Sequence, residues 1–456
     1  MKKLLALLLA LVMVLSLTAC GEETTGSSGK KRRKASSDET ETIETVSETE
    51  EEVAEEAEEE LEEEAEETEL VEEEEVEETN NQWMSAYTVY EQLGVTVIDE
   101  DGFTMTFGEL KKGSYCVEMP VEMKNTSKYA VSSSVLGAAV NGKVTSLYMG
   151  GSTESGKTDS EAVKFYDCQD PADITRVSLL ISTRAESLDS TEYLIDIYPQ
   201  GVAAYKASTP KAKGQDVMVN EDGVFVAIQS YKESRDEFSF DYLMINSSQE
   251  TVDINMNPVA LNGLGVTAYV SKYVLPGTYA QDSAKFDEYK YLSALGMGKI
   301  TSMTLDVDIL DTDYHSKYKE QVNVYPGGKK NDDVFVYTPN SDAQVILDTD
   351  DVKMTFVQAT EEEYTGTVLL FAIENKTTGF VNVEATDMKV NGKPFDSGWI
   401  YRSAYDGRDT YEVFTVYEFR MDELGITEVT SLEMLLTVKD NNYKTAHEET
   451  VELTIN

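Results

Sequence analysis

From about residue 83 onward, apolar and polar positions alternate in short runs that Asn, Gly and Asp interrupt. β-Branched and aromatic residues dominate these runs, and long stretches with the roughly 3.6-residue period of an amphipathic helix are missing. Alternation with a period of two predicts strands with one buried face. Turn residues about every 8–12 positions predict an antiparallel β-sandwich. The pattern therefore predicts an all-β protein.

The same strand pattern occurs three times along the chain. Each copy contains an apolar run that ends in Asn with a nearby Ser or Thr, then a second run, and then Asn-Gly. The two asparagines are 16 positions apart in every copy, at Asn125 and Asn141, Asn246 and Asn262, and Asn375 and Asn391. A constant spacing of this kind indicates tandem copies of one domain.

The repeated asparagines have a local physical explanation. The first one in each copy ends a strand, where a side chain that bonds its own backbone starts a turn. The Asn-Gly pair is typical of a two-residue hairpin turn, in which both residues need positive φ. We therefore interpret the N-x-S/T matches at the first asparagines as turns rather than as glycosylation sites.

The repeats and the Thr-Pro connectors between them define the predicted domains. We expect three tandem immunoglobulin-like antiparallel β-sandwiches at 83–206, 207–336 and 337–456, each with about seven or eight strands. Each segment is long enough to bury its own core. Because the connectors are short and contain Pro, we expect the repeats to fold as separate units.

One stretch of the first copy resembles a nucleotide-binding motif. Gly151–Thr158 has the pattern G-x-x-x-x-G-K-T of a phosphate-binding P-loop. In the alignment of the copies, however, Gly156 corresponds to the turn glycines Gly277 and Gly407, and the lysine is not repeated. A P-loop also needs a helix N-terminus that points at the phosphates. We therefore expect a turn of the sandwich here, and no nucleotide as a partner.

The first 20 residues have the features of a lipoprotein signal peptide. Two lysines precede an apolar run that is shorter than the roughly 20 residues of a membrane span. The segment Leu17–Cys20 resembles a bacterial lipobox, in which the cysteine is lipid-modified. We predict that Cys20 carries the lipid and anchors the chain to the outer face of a Gram-positive cell membrane. The alternative is an ordinary secretory peptide with a chance cysteine.

Residues 21–82 are predicted to form a spacer that is either disordered or helical. Glu dominates this segment, so it has too many like charges and too few apolar residues for a core. Its basic patch, Lys30–Lys34, either contacts anionic lipid or balances the acidic run, and both alternatives stay open. The formal net charge of the chain is −48, which argues against nucleic acid as a partner of the folded part.

Residues suited to catalysis or metal binding are sparse. His315 and His447 fall in different copies, and the acidic run Asp306–Asp313 lacks the spacing and the glycine of an EF-hand calcium loop. We therefore expect no cofactor, no bound metal and no enzymatic activity. Cys116 and Cys168 either form one disulfide or remain free thiols, and the sequence leaves both alternatives open.

The aromatic stretch Gly398–Tyr417 indicates a place where a ligand could bind. Its rings either stack on a sugar or pack within and across strands, as aromatic residues in sheets commonly do. On the first interpretation, Trp399 and Tyr401 are the predicted ligand contacts. The predicted function is binding or adhesion to an extracellular glycan, cell-wall polymer, protein or small ligand. The alternative is a structural envelope protein without a specific ligand.

Three segments of the last copy carry a resemblance to a known type of protein: Ile373–Gly392, Thr415–Phe419 and Leu424–Val438. They resemble the tandem telokin-like, immunoglobulin-like repeats of Firmicutes surface lipoproteins, whose function is unassigned. The resemblance implies a sandwich with a short helical turn before the closing pair of strands. It implies no activity, because sandwiches serve many functions. The first copy departs from the pattern at Asp167–Val177.

Overall fold

The computed structural model describes residues 84, 86–147, 149–185, 190–286, 288–328, 330, 333–341 and 343–455. The predicted signal peptide, Cys20 and the spacer lie outside the described residues. Within the described part, no helix combines the length and the apolar character that crossing a bilayer requires.

The first repeat folds into two facing antiparallel sheets. Its strands are β1 (Thr88–Tyr90), β2 (Val95–Glu100), β3 (Phe103–Phe107), β4 (Lys111–Lys112), β5 (Val117–Asn125), β6 (Val131–Val140), β7 (Lys143–Val144), β8 (Gly150–Thr153), β9 (Thr158–Phe165), β10 (Val177–Ala185) and β11 (Thr191–Ile197). One sheet has the order β2-β3-β5-β9 and the other has the order β11-β10-β6-β8. Alternate residues of both sheets meet in a core around Phe107, Met119 and Leu179.

The second repeat has the same topology. Its elements are β12 (Asp216–Glu221), β13 (Val224–Glu233), β14 (Phe238–Asn246), β15 (Val252–Leu261), β16 (Leu264–Gly265), β17 (Ser271–Val274), β18 (Thr278–Phe286), helix α1 (Tyr289–Leu292), β19 (Met303–Leu310) and β20 (Ser316–Val324). The sheets are β12-β13-β14-β18 and β20-β19-β15-β17. Phe238, Phe240 and Ile254 are fully buried between them.

The third repeat repeats this order once more. Its elements are β21 (Gln344–Asp348), β22 (Val352–Glu362), β23 (Gly366–Asn375), β24 (Val381–Val390), β25 (Lys393–Pro394), β26 (Ile400–Ala404), β27 (Thr410–Tyr417), helix α2 (Glu418–Leu424), β28 (Ser431–Lys439) and β29 (Thr445–Thr454). The sheets are β21-β22-β23-β27 and β29-β28-β24-β26. The prediction of an all-β chain of tandem antiparallel sandwiches is confirmed.

The predicted Asn turns are present in all three repeats. The Asn-Gly residues have positive φ in each, with values of 51° and 87° at Asn141 and Gly142. The first asparagines are buried, and the Asn125 Oδ1 atom accepts hydrogen bonds from the Ser127 N–H and hydroxyl at 2.9 and 2.7 Å. The N-x-S/T pattern therefore describes a turn in which Asn binds the following Ser or Thr.

The second asparagine of each repeat also accepts hydrogen bonds from residues that are more than 30 positions away in the sequence. The Oδ1 atom of Asn391 accepts hydrogen bonds from the Thr430 N–H and hydroxyl and from the Ser431 N–H, at 2.8 to 3.1 Å. Equivalent bonds join Asn141 to Thr175 and Arg176, and Asn262 to Thr301 and Ser302. Each Asn-Gly turn thus fixes the segment that leads into the closing strand pair.

The repeats are joined by parallel strand pairing as well as by their connectors. β7 pairs with β18 at Lys143 and Tyr279, and β16 pairs with β27 at Gly265 and Thr410. In both cases the short strand after an Asn-Gly turn extends the first sheet of the next repeat. The three repeats therefore belong to one compact unit of the chain.

A buried ion pair lies at the junction of the first two repeats. Arg176 and Asp196 have fully buried side chains and lie 3.0 Å apart. The guanidinium group contacts the rings of Tyr87 and Tyr205, with distances to the centroids of 5.2 and 5.3 Å. It also approaches the Gly277 carbonyl of the second repeat at 3.4 Å. A buried charge is costly unless it is paired, so this cluster makes the junction specific.

Candidate functional site

Trp399, directly before β26, and Tyr401, within it, are the two residues that the sequence singled out. Successive side chains of a strand point to opposite faces of its sheet. Ile400 points into the core and is 1% exposed, whereas Trp399 and Tyr401 on either side of it are 69% and 51% exposed. These two rings are therefore not part of the core, whereas the alternative that they pack across strands stays open. Whether they bind a ligand stays a prediction.

Tyr401 belongs to a larger group of aromatic side chains, which we call the aromatic face: Phe380, Trp399, Tyr401, Tyr405 and Tyr443. Half-buried Phe380 lies between two exposed tyrosines, with ring centroids 5.1 Å from Tyr405 and 5.4 Å from Tyr443. These separations are typical of favourable tilted aromatic pairs. Burial, together with nearby Tyr443 and Glu384, raises the pKa of Tyr401, so the phenol stays neutral at physiological pH.

A tight hairpin turn places Tyr443 in this group. The Asp440 carboxylate accepts hydrogen bonds from the Asn442 and Lys444 backbone N–H groups, at 2.8 and 3.0 Å, and these bonds lower the pKa of Asp440. Tyr443 itself has a φ of 58° at the tip between β28 and β29. The second repeat has the same turn, at Asp311 to Tyr314. A repeated Asp-x-x-Tyr spacing was thus the sequence signal for this ring, and the sequence analysis missed it.

Hydrogen-bonding groups lie beside the rings. Glu384 is directly across the strand pair from Tyr401 and accepts a hydrogen bond from Lys439 Nζ at 2.6 Å. Asn382 is fully buried on β24 and donates through Nδ2 to the Ser403 hydroxyl at 3.2 Å. Among the described residues, its Oδ1 atom has no hydrogen-bond partner. The surface therefore combines flat apolar faces with carboxylate and ammonium groups.

This combination suits a ligand that has both apolar and hydroxyl-rich surfaces. Exposed aromatic clusters that are edged by polar groups mark interaction sites on soluble proteins. Tyr and Trp are suited to such sites because they offer a large rigid surface together with one polar atom. A sugar ring matches this chemistry, since its C–H face packs on an aromatic ring and its hydroxyls bond to carboxylates.

The P-loop-like stretch has the form that the repeat alignment predicts. β8 and β9 enclose a turn in which Gly156 has a φ of 73°, and Gly277 and Gly407 have φ values of 63° and 67°. β9 pairs antiparallel with β5, and the strand–loop–helix order of a P-loop is absent here. The prediction of a sandwich turn at this position is confirmed.

The histidines and the acidic run lie in hairpins and on strand surfaces. His315 is in the exposed turn between β19 and β20, and the His447 Nε2 atom lies 2.9 Å from Glu449 on β29. Asp311 uses its carboxylate to accept the His315 backbone N–H at 2.9 Å. Among the described residues, no cluster of three or more His, Cys, Asp or Glu side chains has a metal-binding arrangement.

The two cysteines are free thiols in this structure, which decides the question that the sequence left open. Cys116 is buried just before β5, and Cys168 is half-buried after β9. Burial, reinforced by nearby Asp167 and Asp173, raises the pKa of Cys168. Because the thiolate is the reactive form, this shift makes Cys168 a weak nucleophile at neutral pH.

Comparison with known proteins identifies no family. No protein-family model matches the chain, and no curated protein matches it. Among solved structures, the chain is similar to the crystal structure of red sea bream transglutaminase, with 14% sequence identity and a TM-score of 0.16. The similarity covers 48% of this chain and 31% of that one, so the chain spans about a third of its length. A TM-score this low supports no inference. The resemblance to Firmicutes lipoproteins stays a prediction.

Proposed function

We propose that the chain is a lipid-anchored cell-surface binding protein that holds an extracellular glycan on the aromatic face of its third repeat. The observation that carries this proposal is the exposure of Trp399 and Tyr401, together with the rings of Tyr405 and Tyr443 near Tyr401. Binding rather than catalysis is proposed, because the polar groups at this face are the ion pair of Glu384 with Lys439 and one buried amide, Asn382. In a chain anchored at Cys20, the third repeat lies farthest from the lipid along the sequence.

The charge of the protein narrows the class of glycan. With a formal net charge of −48, the chain repels anionic polymers. Within the aromatic face, Glu384 and Lys439 neutralise one another, so the face itself adds no net positive charge. A neutral glycan therefore fits better than an acidic wall polymer, since stacking and hydroxyl bonds need no ionic attraction.

A structural role is the second candidate, and the junctions between repeats favour it. Parallel strand pairing at Tyr279 and at Thr410 joins successive repeats, and the buried pair of Arg176 and Asp196 reinforces the first junction. A chain built in this way resists bending. On this hypothesis the repeats space or bridge envelope layers, and the aromatic face has no specific ligand.

The double variant Trp399→Ala/Tyr401→Ala tests the binding proposal. We expect retention of the purified chain on insoluble neutral cell-wall glycan to fall roughly tenfold or more, because aromatic anchors dominate binding energy. The melting temperature should stay unchanged, since both side chains are exposed. The matched control is Tyr115→Ala/Tyr269→Ala, which removes two tyrosines that are 83% and 82% exposed in the other repeats.

Two results would decide against glycan binding. One is equal retention of the aromatic-face variant and the parent, and the other is an equal loss in the control variant. Either would leave the structural role as the better hypothesis.

The anchor is tested separately, because Cys20→Ala should move the chain from the detergent phase to the aqueous phase.

A further inference from the structure

A cavity of about 240 Å³ lies between the second and third repeats. Its floor consists of Leu264 and Leu295 from the second repeat and of Ala372 and Ile373 from β23. The connector between the repeats covers it with Val336, Tyr337 and Pro339, and its polar lining is formed by Lys353, Thr355, Glu374, Asn375, Asp409 and Thr410. The lining therefore combines apolar side chains with charged ones.

The Tyr337 hydroxyl is an unsatisfied polar group in this lining. The ring packs against the core of the second repeat, and the hydroxyl oxygen is buried without a hydrogen-bond partner among the described residues. Burying an unpaired hydroxyl is costly, and most such groups in folded proteins are paired.

Asp409 lies in the turn before β27, where the third repeat uses a different hydrogen-bond acceptor from the first repeat. In the first repeat the Asn125 N–H donates to the backbone carbonyl of Lys157 at 2.9 Å. In the third repeat the Asn375 N–H instead donates to the Asp409 carboxylate at 3.1 Å. The stretch between the turn glycine and the following strand is one residue longer here, and this extra length brings a carboxylate to the cavity.

The charges around the cavity favour a cation. Asp409 is half-buried, and burial together with the nearby charge of Glu374 raises the pKa of Asp409. Lys353 lies 3.6 Å from Glu374 and compensates that one carboxylate. One negative charge therefore remains at Asp409. A partly buried carboxylate beside an apolar cavity is a suitable partner for an ammonium group.

We propose that this cavity binds a small monocationic amine with an apolar body, whose ammonium group pairs with Asp409. The volume sets the size of the ligand. An apolar cavity of about 150 Å³ holds benzene, so the larger space here accommodates a benzene ring with a short amine arm. This proposal is independent of glycan binding at the aromatic face.

Calorimetric titration of the full chain at pH 7 with three matched probes tests the proposal. The probes are phenethylamine, phenethyl alcohol and phenylacetate, which share a ring and differ in charge. We expect saturable binding of the amine, weaker binding of the alcohol and no binding of the acid. Asp409→Asn should lower the affinity for the amine about tenfold or more, because it keeps the acceptor for Asn375 but removes the charge.

Two further variants separate binding from folding. Asp406→Asn removes a charge from the same turn but not from the cavity lining, so the amine should bind it as it binds the parent. Tyr337→Phe should raise the melting temperature of the unliganded chain, because it removes the unpaired hydroxyl, and it should bind the amine as the parent does. The absence of saturable amine binding, equal affinity for amine and acid, or unchanged affinity in Asp409→Asn would each overturn the proposal.

Discussion

At the scale of single residues, the most unusual electrostatic environment is at the second junction. Arg402 of β26 donates to Glu412 at 2.8 Å and to the Thr267 hydroxyl of the second repeat at 3.0 Å. Glu288 of the second repeat lies 3.7 Å from the same guanidinium, which also contacts the Tyr411 ring. One cation thus faces two carboxylates, of which Glu412 is mostly buried and Glu288 is partly exposed.

Because one arginine faces two carboxylates, the contribution of this junction to folding stability depends on pH. Burial raises the pKa of Glu412 to about 7, although Arg402 opposes the shift, and nearby Glu288 adds to it. The unfolded chain has an ordinary glutamate pKa of about 4.3. Between these values the folded protein holds a proton that the unfolded chain has lost. The stabilisation from this proton is complete below about pH 4 and is lost as the pH rises through 7.

Glu412→Gln is expected to remove this dependence. The amide resembles the neutral acid and still offers Arg402 an oxygen, so the variant should lose less stability than the parent between pH 5 and pH 8. Urea unfolding at several pH values in this range measures the difference. Asp241→Asn is the control, because the pKa of Asp241 is about 2, below the range, and its removal should leave the slope unchanged.

At the scale of elements, the Asn-Gly turns show how a local signal acquires a long-range role. The turn itself follows from sequence, because two adjacent residues with positive φ favour Asn and Gly. The bonds from Asn391 to Thr430 and Ser431 do not follow from it, since nearly 40 residues separate the partners. The hairpin thereby connects two strands of one sheet through a side chain.

Asn391→Gly is expected to destabilise the third repeat by about 2–3 kcal/mol, since it loses several hydrogen bonds of roughly 1 kcal/mol each. Glycine accepts the φ of 50° without strain, so backbone strain does not contribute to the loss. Urea unfolding measures this change. Asp101→Gly removes a positive-φ side chain from another hairpin and should change the stability by no more than about 0.5 kcal/mol. Equal effects of the two substitutions would refute a special role of Asn391.

At the scale of the whole molecule, the third repeat has a hydrophobic core of its own, and strand pairing joins the sheets of successive repeats. The third repeat has its own apolar cluster, centred on Phe371, Met434 and Leu436. It also depends on the second repeat for partners of Arg402 and Thr410. The repeats are therefore expected to fold independently but to stabilise one another.

A fragment from Gln344 to Asn456 should unfold in one cooperative transition, at a lower temperature than the same repeat in the full chain. Its core is complete, but it lacks the bonds from Thr267 and Gly265 that stabilise the junction. Differential scanning calorimetry of the fragment and the full chain measures both properties. A broad transition without cooperativity would show that the repeat needs its neighbour to fold, and equal melting temperatures would show that the junction adds no stability.

The sequence by itself determined the strand pattern, the turns and the threefold repeat, because each depends on neighbours within a few residues. Alternation sets the buried face of a strand, and a positive φ favours Asn, Asp or Gly in a turn. The exposure of Trp399 and Tyr401 required the structure, since alternation alone does not show which face of the sheet is covered.

Only the tertiary structure decided which distant residues meet. Phe380, Tyr405 and Tyr443 come from three separate segments, and their contact depends on how β24, β26 and β28 pair. The pairing of Arg176 with Asp196 likewise depends on the alignment of β10 with β11, and the position of Asp409 beside the connector depends on packing between repeats. Local periodicity carries no information about such contacts, because their energy arises from burial and charge pairing that exist only after the sheets have assembled.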